Sequence, residues 1–334
     1  MFDLEMLILS FAGGMFGAAV GGLPSFVLCG VMATIGLGIF WATGQDTFLN
    51  VTAWGPLFGP HIAFAGGVGA AAYAAKVGKL KSSGKDIISS LMGLNSPDVL
   101  LVGGIFGALG YAVFAAINLL GNIGGFPWTN APSLSIVITA IVARLVFGKT
   151  GVFGKVRAGD NRWLPSDVAG WLPWQSKPAQ ILLISVGWGL PIAFFIRTMP
   201  ELFTAGFAIA AVALVFLGTG SKFPVFHHIG ISAGMATLAT GGNIWWGLTF
   251  GIFAGFLGEL FAVLFLYHGD THIDPPATAV AVNWTLIALF ATSPLAGMTG
   301  VVPVLAAVVV GAVCYFVFSA LQKSSTSAKQ EASA

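Results

Sequence analysis

The sequence predicts an all-α polytopic membrane protein, and three observations predict it. Hydrophobic residues make up 57% of its 334 positions and charged residues only 8%, too few to cover a soluble surface. The apolar runs come at lengths near the roughly 20 residues that cross a hydrocarbon core about 30 Å thick as a helix. The basic residues gather in alternate breaks between those runs, as they do on one side of a membrane. Runs of that length make helices the default, not a barrel.

Eleven spans follow in order: about residues 5–22, 24–42, 58–76, 99–120, 131–148, 179–196, 201–219, 225–241, 245–267, 275–293 and 298–321. The third, fifth, eighth and tenth are short or open on Gly and Pro, so these are candidates for broken or re-entrant helices.

The breaks fix the orientation. With the N-terminus outside, the cytoplasmic side carries Lys76, Lys79, Lys81 and Lys85, then Arg144, Lys149, Lys155, Arg157, Arg162 and Lys177, then Lys222, and finally Lys323 and Lys329; Arg197 alone falls outside. The expectation is a multi-pass protein of the cytoplasmic (inner) membrane, N-terminus out and C-terminus in. The net charge of +2 is then an orientation signal, and it suggests no nucleic-acid partner. Met1 to Glu5 lacks the basic region of a cleaved signal peptide. Cys29 and Cys314 lie inside spans and offer neither a disulfide framework nor a metal spacing.

The chain also matches itself. A slide of 176 pairs Gly13 with Gly189, Pro24 with Pro200 and Gly30 with Gly206, and a slide of 167 pairs His61-Ile62 with His228-Ile229. At 147, Gly104-Ile105-Phe106 meets Gly251-Ile252-Phe253; at 144, Asn130-Ala131-Pro132 meets Asp274-Pro275-Pro276. These matches divide the chain into a five-helix repeat over 1–148, a Trp- and Pro-rich cytoplasmic loop over 149–178 holding Trp163, Trp171 and Trp174, a second repeat over 179–293, an extra helix over 294–321 and a polar tail over 322–334 that is expected to be disordered. Five spans per copy make the second copy enter from the opposite face, which is an inverted repeat.

Candidate residues follow from this plan. His61 and His228 head the third span of each copy after Pro60 and Pro224, and an imidazole there can donate, accept or carry a proton. Glu259 lies in the ninth span among small residues, where a carboxylate facing lipid would be costly, so it is expected to point inward and to carry a coupling proton or cation. Asn130 and Asp274 are placed as N-caps of the fifth and tenth spans, from opposite faces, and their positive helix ends could bind an anion or polar head group. Ser133, Thr278, His272 and Asn283 add polar groups along the same helices. His268, Asp270, His272 and Asp274 alternate in one loop and form a candidate metal set, since imidazole and carboxylate both suit divalent ions. No phosphate loop, metalloprotease helix, nucleophile elbow or dinucleotide fingerprint is present.

The plan of five spans, five inverted and one more, N-out and C-in, resembles that of the ammonium transporter family, and urea transporters share its five-plus-five core. His61 and His228 resemble the paired pore histidines of ammonium transporters, although here they lie on the third span of each copy where that family uses the fifth, and its neighbouring motifs are absent. The run His272 to Ala277, HIDPPA, resembles the His-Pro-Pro signature of a small-anion membrane family, interrupted by Ile273 and Asp274. The expectation is a transporter or channel for a small polar solute, leaning to a small anion or organic acid taken up with protons, with its site between the repeats. It needs the bilayer and a small-molecule or ion substrate, no cofactor and no enzymatic step, and a homo-oligomer is compatible with it. The alternatives are a metal-binding protein using residues 268–274 and a lipid-interacting membrane scaffold.

Overall fold

A computed structural model describes residues 3–156, 158, 160–163 and 172–331; Arg157 and Trp171 lie outside the described residues. Among the described residues the regular structure is helical apart from a small hairpin, β1 (Asn122–Ile123) paired with β2 (Phe126–Pro127). Its helices are α1 (Leu4–Val20), α2 (Gly22–Thr43), α3 (Thr47–Val51), α4 (Ala63–Lys76), α5 (Pro97–Asn118), α6 (Ala131–Phe147), α7 (Pro178–Thr198), α8 (Ala205–Ala213), α9 (Val215–Gly218), α10 (His227–Ala239), α11 (Ile244–Phe261), α12 (Pro275–Ala291) and α13 (Val301–Glu331).

Each of the eleven apolar runs contains a helix, but their lengths differ. Among the described residues five helices are long and apolar enough to cross a membrane: α2, α5, α7, α11 with the π-helical turn Ala262–Leu266 that continues it, and α13. Helices α1, α6 and α12 are apolar but shorter, and the seventh run is divided between α8 and α9. With 14 and 13 residues, α4 and α10 reach only about 20 Å at 1.5 Å per residue, less than a hydrocarbon core. Helix α4 starts at Ala63 and not at residue 58, because Gly55, Gly59 and Pro60 hold the preceding chain in turns. Helix α13 runs on to Glu331, and no Gly or Pro after Gly311 interrupts it.

The two halves of the chain pack alike. Helix α1 packs on α4 and α5, as α7 packs on α10 and α11; α4 meets α5 and α6, as α10 meets α11 and α12; α2 meets α4, as α8 meets α10. Between the halves, α2 packs on α8 and α6 on α12. Small residues make the close contacts. A Cβ at Gly14 would collide with the backbone of Gly103 and Gly107 on α5, so α1 and α5 approach backbone to backbone. A Cβ at Gly13 would lie 3.0 Å from Ile62 Cγ2, and one at Gly189 3.6 Å from Ile229 Cγ2. Helix α13 lies outside this arrangement, against α7 and α11.

Candidate functional site

The helices that meet across the halves line a cavity of about 260 Å³. The first half lines it with Leu23, Phe26, Trp54, Pro60, Phe64, Ile87, Asn130, Pro132, Ser133 and Ile136. The second half contributes Phe203, Thr204, Phe207, Leu214, Leu217, Val225, His227, Ile231, Asp274, Pro276, Ala277, Val280 and Trp284. Several of these fall on the pairs that the slides of the sequence set against each other: Pro60 with His227 and Phe64 with Ile231 at 167, and Asn130 with Asp274, Pro132 with Pro276 and Ile136 with Val280 at 144.

Aromatic rings dominate the wall. Phe26 packs edge-on against Phe64 at 5.7 Å and against Phe207 at 5.4 Å, Trp54 lies 5.5 Å from Phe207, and Phe203 lies 6.4 Å from Trp284. His227 sits among them, 5.0 Å from Phe26 and 6.0 Å from Phe207. The residue is 7% exposed and its Nδ1 has no hydrogen-bond partner.

The first turns of α6 and α12 supply the polar side. Asn130 Oδ1 accepts the Ser133 N–H at 3.1 Å, and Asp274 Oδ2 accepts the Ala277 N–H at 2.7 Å. Pro at the start of both helices is compatible with these caps, because the N–H it lacks would have no partner within the helix. The second carboxylate oxygen of Asp274 is hydrogen-bonded to His272 Nε2 at 3.1 Å, and Thr278 Oγ1 donates to the Asp274 carbonyl at 2.8 Å. The carboxylate therefore lies at a helix N-terminus, where backbone N–H groups and the helix dipole favour negative charge.

The other expected site residues lie away from this cavity wall. His61 is buried and stacked on Phe114 at 4.4 Å, with its carbonyl against Gly110. His228 is buried with its ring against Gly258 of α11. Asn283 donates to the Phe250 carbonyl at 2.9 Å. Glu259 accepts the Tyr267 hydroxyl at 2.7 Å, and it is not among the residues lining the cavity.

The candidate metal residues disperse. His268 Nε2 pairs with the Arg162 carbonyl at 3.2 Å, while Asp270 accepts the Lys149 N–H at 2.6 Å and the Thr150 hydroxyl at 2.8 Å. Among the described residues no three His, Cys, Asp or Glu side chains gather as a metal site.

That loop is held instead by Arg144, which is fully buried at the end of α6. Its guanidinium donates to Thr271 Oγ1 at 2.5 Å, to the Thr271 carbonyl at 2.6 Å, to the Phe265 carbonyl at 3.0 Å and to the carbonyls of Gly151 and Val152 at 3.2 Å; Asp270 lies 3.7 Å away. Gly84 bridges to Thr271 and Lys155 N–H donates to the His268 carbonyl at 2.8 Å, so the two basic breaks after α4 and α6 meet the 267–274 loop at one end of the molecule. Trp163 packs there against Ala262, Val263 and Tyr267. Trp174 donates to the Phe223 carbonyl at 3.1 Å, so both indoles serve tertiary packing. The loop after α4 reaches the cavity through Ile87, whose carbonyl accepts the Leu23 N–H at 2.7 Å. Burial pushes the neighbouring Asp86 carboxyl up, but hydrogen bonds from Ser82, Ser89 and Ile88 outweigh it and hold the group below its ordinary range.

Sequence reasoning missed His227, the aromatic wall and Arg144. The 167 slide that pairs His61 with His228 also pairs Pro60 with His227, and that pair faces the cavity. The model of a family of unknown function (DUF7973) matches the chain over residues 1–165 and 158–305. No curated protein and no solved structure matches it.

Proposed function

The chain belongs to the DUF7973 family, and we propose that it is a membrane transport protein whose central cavity is offered to either side by related motions of two inverted halves. The observation that carries this reading is the place of the cavity, which lies where α2 meets α8 and α6 meets α12. A site on a pseudo-two-fold axis can be exposed to opposite faces by equivalent movements. The equivalent helix pairings in the two halves, the ordered self-matches and the two successive stretches matched by one family model all support inverted repeats. In this reading the chain crosses the membrane eleven times, N-terminus out and C-terminus in, and the meeting of basic breaks around Arg144 marks the cytoplasmic end. The short helices α4, α6, α10 and α12 begin at the cavity, as the broken helices of transporters begin at their sites.

Labelling from each side tests it. With Cys29 and Cys314 replaced by Ala, a single Cys at Ser133 or Thr204 is expected to react with a membrane-impermeant maleimide added to right-side-out vesicles and, separately, to inside-out vesicles. Reaction from only one side, at both positions and under every solute gradient tried, would sink alternating access.

A further inference from the structure

We propose that the cavity takes a small organic cation with an apolar body, its charge against Asp274 and its body among the aromatic rings; this rests on the central-cavity reading above.

The charge comes first. Among the described residues lining the cavity Asp274 is the only acid, and no Lys or Arg joins it. Its two oxygens are bonded to a backbone N–H and a His272 ring nitrogen, and among the described residues no Lys or Arg forms an ion pair with it. An ionised group in so apolar a space calls for a counter-charge.

The opposite sign is poorly served. In the first turns of α6 and α12 four donors that would attract an anion are spent: Ser133 N–H on Asn130, Ala277 N–H on Asp274, and Leu134 and Thr278 N–H on the Asn130 and Asp274 carbonyls. Pro132, Pro275 and Pro276 have no N–H to give. An anion would also meet the Asp274 carboxylate across a narrow space.

The walls suit a cation. Phe26, Phe64, Phe207 and Trp54 present aromatic rings, which attract cations through their faces, and the unpartnered Nδ1 of buried His227 can accept from a cationic N–H. The first half has Asn130 where the second has Asp274, so the carboxylate of this pair lies on one side of the cavity only.

The test is calorimetric titration of the full chain in lipid nanodiscs with two probes of one benzyl body, benzyltrimethylammonium and phenylacetate. The cation is expected to bind and phenylacetate to give no heat of binding. Asp274→Asn, which keeps a good cap, is expected to weaken the cation at least tenfold, and Phe207→Leu several-fold, while Asn130→Asp strengthens it. Phenylacetate binding more tightly than the cation, equal cation affinity in Asp274→Asn, or silence of both probes would overturn the proposal. Two-sided labelling of Ser133→Cys that survives any of those results would leave the transport reading standing, and one-sided labelling would remove both.

Discussion

Asn130 and Asp274 build the same cap with different charge: each accepts the N–H three residues on, at 3.1 Å from Asn130 and 2.7 Å from Asp274, and each lines the cavity. The pair separates what the cap does for the fold from what the charge does for the site. Losing an N-cap costs roughly 0.5–2 kcal/mol, and Asp274→Ala also removes the His272 partner. Asp274→Ala is therefore expected to lower unfolding stability by about 1–2 kcal/mol, and Asp274→Asn to stay within about 0.5 kcal/mol, as read from chemical denaturation in one detergent. Equal losses in both would assign the carboxylate charge a structural role.

Arg144 holds the loop that carries Asp270 and Thr271 to the end of α6. Removing a buried guanidinium leaves several carbonyls without donors, and breaking such a network costs on the order of 3–5 kcal/mol. Arg144→Ala is expected to fall in that range, and Arg144→Lys to recover only part of it because an ammonium cannot fork to Thr271, Phe265 and Gly151 together. Asp270→Asn should cost under about 1 kcal/mol, since its partly exposed carboxylate lies 3.7 Å from the guanidinium. Thermal unfolding with limited proteolysis of the loop checks the order; Asp270→Asn costing as much as Arg144→Ala would reverse it.

Hydropathy made the long elements legible because α2, α5, α7, α11 and the Val301–Lys323 part of α13 are apolar over most of their length. The same uniformity hid which faces turn inward, since a helix apolar all round has no stripe to read. His227 and His228 show the consequence: neighbours on a helix lie about 100° apart, so one reaches the cavity and the other packs on Gly258. Arg144 read as one more orienting charge because its main partners, Phe265 and Thr271, lie more than a hundred residues away. The expected caps on Asn130 and Asp274 are present because their signal is local, an Asx residue before Pro and an apolar run.

The close helix contacts predict opposite outcomes for similar substitutions. A Cβ at Gly14 would meet the backbone of Gly103 and Gly107, whereas one at Gly38 or Gly187 would meet nothing within 4 Å. Gly14→Ala is expected to destabilise by about 1–3 kcal/mol through forced separation of α1 and α5. Gly38→Ala and Gly187→Ala should be neutral or stabilising by up to about 1 kcal/mol, because alanine has less unfolded-state entropy to lose. Melting temperatures of the three variants decide it, and a tolerant Gly14 would mean that the helices can slide apart without cost.

Under the transport proposal, Glu259 and Asp274 are the two carboxylates to test as the seat of a coupling proton. Glu259 lies off the cavity wall with its Oε1 accepting the Tyr267 hydroxyl, a hydrogen bond that Gln can also accept, so Glu259→Gln is expected to fold normally. Solute exchange at equal concentration needs only an intact site, while accumulation under an imposed proton gradient also needs the coupling group. With coupling at the cavity carboxylate, Glu259→Gln keeps both activities within about twofold of the parent, a change of roughly 0.4 kcal/mol. Asp274→Asn loses accumulation. The check is paired exchange and gradient-driven uptake of benzyltrimethylammonium in proteoliposomes. Exchange retained with accumulation lost in Glu259→Gln would instead place the proton on Glu259, behind the cavity and beside Tyr267.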